Sequence, residues 1–162
     1  MRFSAQEEYG MRCLLQIARE PVDGLTIPEI AGREALTEAY VAKLVRVLRK
    51  AEILTSTRGQ KGGYRLSRTA DQVHVSEALI ALGGRLYAGD FCGKHTGAGV
   101  RCVHNVDCSI RSLWMALDAA VERTLSTMTI QDLLCSEKDA AVLVHFGGEN
   151  SPPLRPFSGV QG

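Results

Sequence analysis

The chain has 162 residues, of which 45% are hydrophobic and 23% are charged, and its formal net charge at pH 7 is +1. This length and apolar content fit one domain with a core of its own. The sequence has no apolar run of membrane-spanning length and no apolar signal-peptide core at its N-terminus, so we expect a cytoplasmic protein without a membrane span. It also lacks a phosphate loop, a nucleophile elbow and an HExxH motif, which argues against an enzyme.

The N-terminal half predicts a helix-turn-helix. A first amphipathic helix ends near Pro21 and has its apolar face at Met11, Leu14, Leu15 and Ala18. A second, short helix is expected from the capping-box spacing of Thr26 and Glu29, with Gly32 as its end. Thr37 can cap a third helix, whose apolar positions are Val41, Leu44, Val45 and Leu48. Short helices joined by a tight link are typical of this motif.

A glycine-rich hairpin is predicted directly after the third helix. The segment "ILTSTRGQKGGYRLSR" combines a β-prone run, a glycine turn and a second alternating run, which is typical of a wing. Between positions 43 and 68 there are eight basic residues and one acid, although the whole chain is nearly neutral. Such local basic charge indicates a surface for a polyanion.

These features together favour binding of double-stranded DNA over a merely solvated charged helix face. The first turns of a recognition helix face base edges, whereas arginines, lysines and the wing hold phosphates. The candidates for base edges are Thr37, Glu38, Tyr40 and Lys43. The candidates for phosphates or the minor groove are Arg46, Arg49, Arg58, Lys61 and Arg65.

The second half of the chain predicts a short helix, a loop and a long helix. Residues 75–82 form the short helix, and six glycines between positions 83 and 99 predict an irregular loop. The long helix after position 108 carries an apolar stripe at Ile110, Leu113, Trp114, Leu117, Val121, Thr124, Leu125 and Met128. The stripe can pack on the first helix of its own chain, and we expect it also to pair with a second copy in a homodimer. Residues 129–134 predict a last short helix.

The expected fold is mainly α with a β-hairpin wing: a winged helix-turn-helix plus a long dimerisation helix. We expect the winged helix-turn-helix in residues 1–83 and a cysteine-rich cluster-binding loop in residues 84–107. The dimerisation helix and the short C-terminal helix should occupy residues 108–146. Residues 147–162 are rich in glycine, serine and proline and are expected to be disordered.

Three of the five cysteines are clustered here: Cys92 and Cys102 lie within the cysteine-rich loop, and Cys108 follows it directly. In a reducing compartment clustered thiols favour metal or redox chemistry over disulfides. Their C-x9-C-x5-C intervals are too wide for a zinc knuckle but suit an iron–sulfur cluster. A thiol redox switch and cysteines with no joint role are the alternatives, and Cys13 and Cys135 are expected to be small core residues. The candidates for a fourth ligand, from this chain or its partner, are Glu7, Glu8, His95, His104 and Asp107.

Over roughly residues 1–137 the sequence resembles the Rrf2 family of bacterial transcription regulators. The resemblance lies in "MRFSAQEEYGMRCLLQIA", "LVRVLRKAEIL", "STRGQKGGYRLSR", "VHVSEALIAL" and the three cysteines before a long helix. It implies a homodimeric winged-helix regulator with an iron–sulfur cluster on Cys92, Cys102 and Cys108, and we expect the protein to be a repressor. Such a cluster senses iron–sulfur status, nitric oxide or redox state and changes operator affinity.

The resemblance also bears on the fourth ligand. The iron–sulfur-assembly branch has a histidine three residues after its last cysteine, where this chain has Arg111. The nitric-oxide-sensing branch has an acidic ligand in the first helix, at the position of Glu8. The resemblance therefore implies that Glu8 is the fourth ligand and that the protein is nearer to the nitric-oxide-sensing or redox-sensing branches. Both [2Fe-2S] and [4Fe-4S] clusters are compatible with it. The competing functions are a cluster-free regulator that responds to thiol oxidation or a small effector, and a metal-binding scaffold that does not bind DNA.

Overall fold

A computed structural model describes residues 3–57, 62–87, 90–104 and 106–135. Six α-helices and one antiparallel strand pair make up its architecture, with 3-10 turns at Ala70–Gln72 and Gln131–Leu134. The elements in chain order are α1 (Ala5–Ala18), α2 (Ile27–Glu34), α3 (Glu38–Lys50), β1 (Leu54–Ser56), β2 (Tyr64–Leu66), α4 (Val75–Gly83), α5 (Phe91–Lys94) and α6 (Ser109–Ser126). The predicted mainly helical fold with a β-hairpin is confirmed. No helix in these described ranges is both long and apolar enough to cross a bilayer.

Capping interactions begin the helices of the helix-turn-helix. The predicted box at α2 is present: the Thr26 amide donates to the Glu29 carboxylate at 2.8 Å, and the Glu29 amide donates to the Thr26 hydroxyl at 3.4 Å. The prediction that α2 ends at Gly32 is wrong, because the helix continues to Glu34. The helix ends because Ala35 adopts a left-handed conformation, with a φ of 53°. Leu36, the next residue, then packs on the core.

The wing is held to the helices by a third extended segment. β1 and β2 pair so that Leu54 lies opposite Leu66, and the Tyr64 amide donates to the Leu25 carbonyl at 2.7 Å, while Leu25 returns a bond at 2.9 Å. At Gly63 the two backbones approach closely, since an added Cβ would lie 2.7 Å from the Leu25 carbonyl. The wing tip, residues 58–61, lies outside the described ranges.

Gly63→Ala is expected to destabilise the protein by about 1–3 kcal/mol, because the new methyl group must displace backbone at the Leu25 contact. Gly32→Ala is the matched control. It lies within α2 with nothing within 4 Å of the added Cβ, and removing a helical glycine there should stabilise by up to about 1 kcal/mol. The stability changes of both variants are measured from the midpoints of urea unfolding. Equal midpoints for Gly63→Ala and the wild type would show that the wing backbone does not need this close contact.

One core joins the N-terminal helices, the wing and the segment after α6. Its largest fully buried side chains include Leu14, Ile17, Leu44, Leu48 and Ile130. Ile130 lies just beyond α6, and its amide donates to the Val73 carbonyl at 2.8 Å. The Val75 amide donates to the Met128 carbonyl at 2.9 Å. The end of α6 is therefore fastened to the winged helix-turn-helix at the start of α4.

α1 and α4 cross at very short range. An added Cβ at Gly10 would lie 2.3 Å from the Leu82 side chain, and one at Gly83 would lie 2.2 Å from the Glu7 carboxylate. The Gln6 amide group also donates to the Leu82 carbonyl. The C-terminal end of α4, which leads into the cysteine-rich loop, is thus fixed to the first turns of α1. This loop was predicted to be irregular throughout, but it contains the short helix α5.

Candidate DNA-binding surface and cysteine-rich site

The exposed face of α3 carries its basic residues. The apolar stripe of α3 is buried in the core, as its spacing predicts, at Val41, Leu44, Val45 and Leu48. Lys43, Arg46, Arg49 and Lys50 are exposed. Within the described part of the chain none of these four forms an ion pair with an acidic side chain. They are therefore available to a polyanion.

The first turn of α3 contains the residues predicted to read bases. The Thr37 hydroxyl accepts the Tyr40 amide hydrogen at 3.3 Å and begins the helix. Glu38 is exposed, whereas Tyr40 is half-buried and packs edge-on against Tyr9, with ring centroids 6.1 Å apart. Tyr40 thus has a packing role beside any contact with bases.

The wing adds Arg65, which is exposed on β2 opposite Thr55. Arg58 and Lys61, predicted for the wing tip, lie outside the described residues. The described surface for a polyanion therefore consists of the exposed face of α3 and one side chain of β2.

A buried carboxylate holds α2 against α1. The Glu34 side chain is only 7% exposed and accepts from Arg12 Nε at 2.6 Å and from the Gln16 amide group at 2.6 Å. The same contact raises the pKa of Arg12 above its ordinary value, and Glu8 contributes a smaller attraction. Removing Arg12 would leave the Glu34 charge buried without its partner, which is costly. This pair fixes the orientation of the helix-turn-helix on the first helix.

The three clustered cysteines are free thiols and are half-buried. Cys92 lies in α5, Cys102 lies in the loop, and Cys108 is the residue that precedes α6. An aromatic group covers the loop on the α6 side: Phe91 stacks on His95 at 4.2 Å and lies 6.5 Å from Trp114. The loop is thus packed on the beginning of the long helix.

Tyr87 and Arg111 surround the Cys92 sulfur. The Tyr87 hydroxyl lies 3.6 Å from Cys92 Sγ. This hydrogen bond, and after it the Arg111 guanidinium, lower the pKa of the Cys92 thiol below its ordinary value. The pKa of Arg111 is raised above its ordinary value, chiefly by its interaction with Cys92 and to a smaller extent by its attraction to Cys108.

The predicted fourth ligands occupy different places. His104, Asp107 and Cys108 line one shallow depression of about 200 Å³ at the start of α6. The His95 ring nitrogen Nδ1 donates to the Phe91 carbonyl at 2.8 Å. Glu8 is exposed on α1.

Glu7, the remaining candidate, accepts the Ser4 amide hydrogen at 2.7 Å in the capping box of α1. Across the described ranges, no three His, Cys, Asp or Glu side chains are grouped closely enough to hold a metal ion. Among the predicted ligands, the structure therefore places only His104 and Asp107 beside one of the three cysteines, Cys108, within the described residues.

The two other cysteines differ from each other. Cys13 is fully buried in the core, as predicted, and burial raises the pKa of its thiol to about 11, which makes it unreactive. The prediction that Cys135 is a core residue is wrong. It is exposed and follows the last 3-10 turn, where its thiol donates to the Asp132 carbonyl at 2.7 Å. Leu133 and Leu134 still pack against the core, and Cys135 lies just beyond them.

The apolar stripe of α6 remains largely exposed in the single chain. Leu113 is 52% exposed, Trp114 39% and Leu117 41%. The main neighbour of α6 within the chain is α4, not the α1 helix considered from the sequence. Between α4 and α6 runs an apolar groove of about 610 Å³ whose lining includes Phe3, Leu79, Leu86, Leu117, Leu125 and Met128. The stripe and the groove form one continuous apolar surface through Leu117.

Sequence reasoning missed the role of Tyr87 and considered Arg111 only as the replacement of a histidine. Arg111 carries a sequence signal, because it follows Cys108 by three residues and so lies near it on the first turn of α6. Tyr87 carries none, since its approach to Cys92 depends on how the loop folds onto α6.

Comparisons with known proteins agree on one family. Residues 3–136 match the sequence profile of the Rrf2 family, described as iron-dependent transcriptional regulators. The chain is 35% identical over 138 residues to the protein Rrf2 of Nitratidesulfovibrio vulgaris, an alignment that covers 83% of this chain and 87% of that protein. The family is thus one of transcriptional regulators and not of enzymes.

Solved structures give the same result. The structure of CymR, the global cysteine regulator of B. subtilis, superposes with a TM-score of 0.63 at 26% identity and covers 83% of this chain and 96% of that one. The IscR structure from T. potens also gives a TM-score of 0.63, at 28% identity, and covers 86% of this chain and 88% of that one. With its winged helix-turn-helix and the match along residues 3–136, the chain belongs to the Rrf2 family of DNA-binding transcriptional regulators.

Proposed function

We propose that the protein is a cytoplasmic, dimeric operator-binding repressor whose DNA affinity is set by an iron–sulfur cluster. The observation that carries the proposal is the place of the three free thiols, between α4 of the DNA-binding unit and the exposed stripe of α6. A ligand held there touches both the segment that positions the helix-turn-helix and the segment that forms the dimer.

The exposed cations of α3 support operator binding. In a dimer, two α3 helices enter successive major grooves, with base edges read from the first turns and phosphates held by Arg46, Arg49 and Arg65. Thr37, Glu38 and Lys43 are the exposed candidates for reading bases, whereas Tyr40 is half-buried. Arg58 and Lys61 remain predicted phosphate contacts of the wing.

The apolar face of α6 supports the homodimer. A contiguous apolar surface of this kind marks an interaction site in a soluble protein. A second copy of α6 is a self-complementary occupant, because a two-fold axis places the same stripe on both partners. Its contacts include Ile110, Leu113, Trp114, Leu117, Val121 and Leu125.

The donor chemistry of the loop fits an iron–sulfur cluster. Iron–sulfur clusters are held by thiolates, and a neighbouring cation and hydroxyl favour that form at Cys92. Cys92, Cys102 and Cys108 are the proposed ligands, and Glu8 is the proposed fourth, with His104, His95, Glu7 and Asp107 as the alternatives. When bound, a cluster with one oxygen ligand supplies a redox-active centre with an exchangeable corner.

The experiment measures the cofactor content and the DNA affinity of the same protein preparation. Protein purified without oxygen should show visible absorption with matching iron and sulfide content, and air should bleach it. Shift assays on the protein's own promoter region should give different affinities for the coloured protein and for the air-bleached protein. Both affinities should depend strongly on salt concentration. Equal affinities in both states would contradict the control of DNA binding by the cluster.

A cluster-free thiol switch is the second candidate, favoured by the partly accessible Cys92 thiol and its lowered pKa. A colourless anaerobic protein whose DNA affinity still responds to a mild oxidant would select it.

Arg49→Ala is expected to weaken binding to operator and unrelated DNA alike and to reduce the salt slope by about 1, because it removes one phosphate contact. Arg123→Ala is the matched control, since it removes the same charge from the last turn of α6. Glu38→Gln should instead change the preference among operator sequences. Equal losses of DNA affinity in Arg49→Ala and Arg123→Ala would show that the affinity depends on the net charge of the protein and not on the position of Arg49.

A further inference from the structure

An aromatic contact joins α1 to the first turn of α3. The rings of Tyr9 and Tyr40 meet at an interplanar angle of 81°, with their centroids 6.1 Å apart. This edge-to-face arrangement is a favoured geometry for an aromatic pair. The Arg12 guanidinium lies over the Tyr9 ring, with its central carbon 5.4 Å from the centroid, which is within the range of a cation–π contact. Tyr9 therefore contacts both the guanidinium of its own helix and the start of α3.

Arg12 is itself held in place by the buried Glu34 carboxylate. Its Nε donates to Glu34 at 2.6 Å, and the same carboxylate accepts from the Gln16 amide group at 2.6 Å. Glu34 is the last residue of α2, and only residues 35–37 separate it from α3. These contacts therefore form one connected chain from the end of α2, across Arg12 and Tyr9 of α1, to the start of α3.

The first turn of α3 depends on this chain of contacts. Thr37, Glu38 and Ala39 are exposed, and they lie between two residues that pack on the body of the protein, Leu36 and Tyr40. Helix ends fray easily. The placement of Thr37 and Glu38, two candidates for reading bases, is therefore set in part by how firmly the Tyr40 ring is held.

We propose that Tyr9 and Arg12 are positioning residues for sequence-specific DNA recognition, and that they act by holding Tyr40 and with it the first turn of α3. The inference rests on the proposed role of α3 as the recognition helix and involves no cofactor. Hydrogen bonds to base edges need short distances and good alignment, whereas the attraction of phosphates is electrostatic and independent of sequence. A first turn that is held less firmly therefore loses affinity for the preferred sequence and keeps its affinity for unrelated DNA.

A set of variants separates the packing of the ring from other effects. Tyr9→Leu removes the ring and keeps an apolar side chain, whereas Tyr9→Phe removes only the hydroxyl. Arg12→Gln removes the guanidinium over the ring and keeps a hydrogen-bond donor for Glu34. Arg33→Gln is the matched control, because it removes the same charge and breaks an exposed ion pair, Arg33 to Glu20 at 3.0 Å, between α2 and the segment after α1.

The test begins with enrichment of preferred sites from random duplexes by the wild-type protein. Fluorescence anisotropy then measures the affinity of each variant for the most enriched duplex and for a scrambled duplex of the same composition. The ratio of the two affinities should fall by about tenfold in Tyr9→Leu, the discrimination supplied by about one good base contact. It should fall by a smaller factor in Arg12→Gln. Tyr9→Phe and Arg33→Gln should keep the wild-type ratio.

This ratio distinguishes positioning from a loss of stability. Partial unfolding lowers both affinities by the same factor, because it only reduces the fraction of protein that is competent to bind. Unchanged ratios in Tyr9→Leu and Arg12→Gln overturn the proposal while operator binding stands. A loss in Tyr9→Phe as large as that in Tyr9→Leu also overturns it, since the hydroxyl and not the packed ring would then be responsible.

The remaining outcomes are also decisive. A wild-type protein that enriches no sequence contradicts operator binding itself, and this proposal with it. If circular dichroism shows that Tyr9→Leu does not fold, the arginine variants decide: equal ratios in Arg12→Gln and Arg33→Gln overturn the proposal, and a lower ratio in Arg12→Gln alone supports it.

Discussion

Cys108→Ala is expected to be purified without oxygen as a colourless protein, whereas the wild type is coloured. Cys108 is one of the three proposed ligands and immediately precedes α6, and no neighbouring residue offers a thiol that could replace it. Cys92→Ala and Cys102→Ala should lose the chromophore in the same way, because two thiolates and one weak oxygen donor bind iron–sulfur units poorly.

Cys135→Ala is the matched control for these variants. It removes an exposed thiol that follows the last 3-10 turn, and it should keep the full absorption and the iron and sulfide content of the wild type. Glu8→Ala should keep a cluster that is spectrally altered or bleached faster. An unchanged spectrum in Cys92→Ala, Cys102→Ala or Cys108→Ala would refute the cluster. An unchanged spectrum and bleaching rate in Glu8→Ala would assign the fourth ligand to His104, His95, Glu7 or Asp107 instead.

Leu117→Asp is expected to convert the dimer into a folded monomer. Leu117 is 41% exposed in the single chain and lies where the α6 stripe meets the apolar groove, so dimerisation would bury the new carboxylate without a partner. A buried unpaired charge costs about 3–5 kcal/mol, which weakens dimerisation by about a thousandfold. Sedimentation velocity across a concentration series measures the shift.

Ala119→Asp is the control for the charge itself. Ala119 is exposed and lies two positions from Leu117, nearly opposite on the helix, so the same carboxylate stays in water. It should sediment as the wild type does. Circular dichroism verifies that both variants remain folded. A Leu117→Asp protein that still sediments as a folded dimer would show that α6 packs only within its own chain.

The sequence predicted those elements whose signals are local. The Thr26 and Glu29 spacing predicted the capping box of α2, and the alternation around Tyr64 predicted the wing strand. Where local signals compete, tertiary packing decides: Gly32 predicts a helix end, but the chain turns at Ala35, and the leucine that follows packs on the core.

The parts that sequence could not supply depend on distant contacts. Ile130 is fully buried because the chain returns to α4, more than fifty positions away, and nothing in "TIQDLL" indicates this. Tyr87 meets Cys92 because Asp118 holds the loop on α6. The cysteine spacing indicated the kind of chemistry, but the neighbours of each sulfur depend on the folded loop.

Both ends of α6 are bonded to other parts of the chain, so a tilt of this helix moves those parts relative to each other. Its first turn is joined to the cysteine-rich loop by Arg111, and the segment after its last turn is fixed to the start of α4 through Ile130. Its 18 residues span about 27 Å, so a tilt of about 5° displaces one end by about 2 Å relative to the other. Displacements of this size at helix contacts are enough to change the state of a switch. A tilt of α6 would therefore move the start of α4 relative to the cysteine-rich loop, because the segment after the helix is bonded directly to Val73 and Val75.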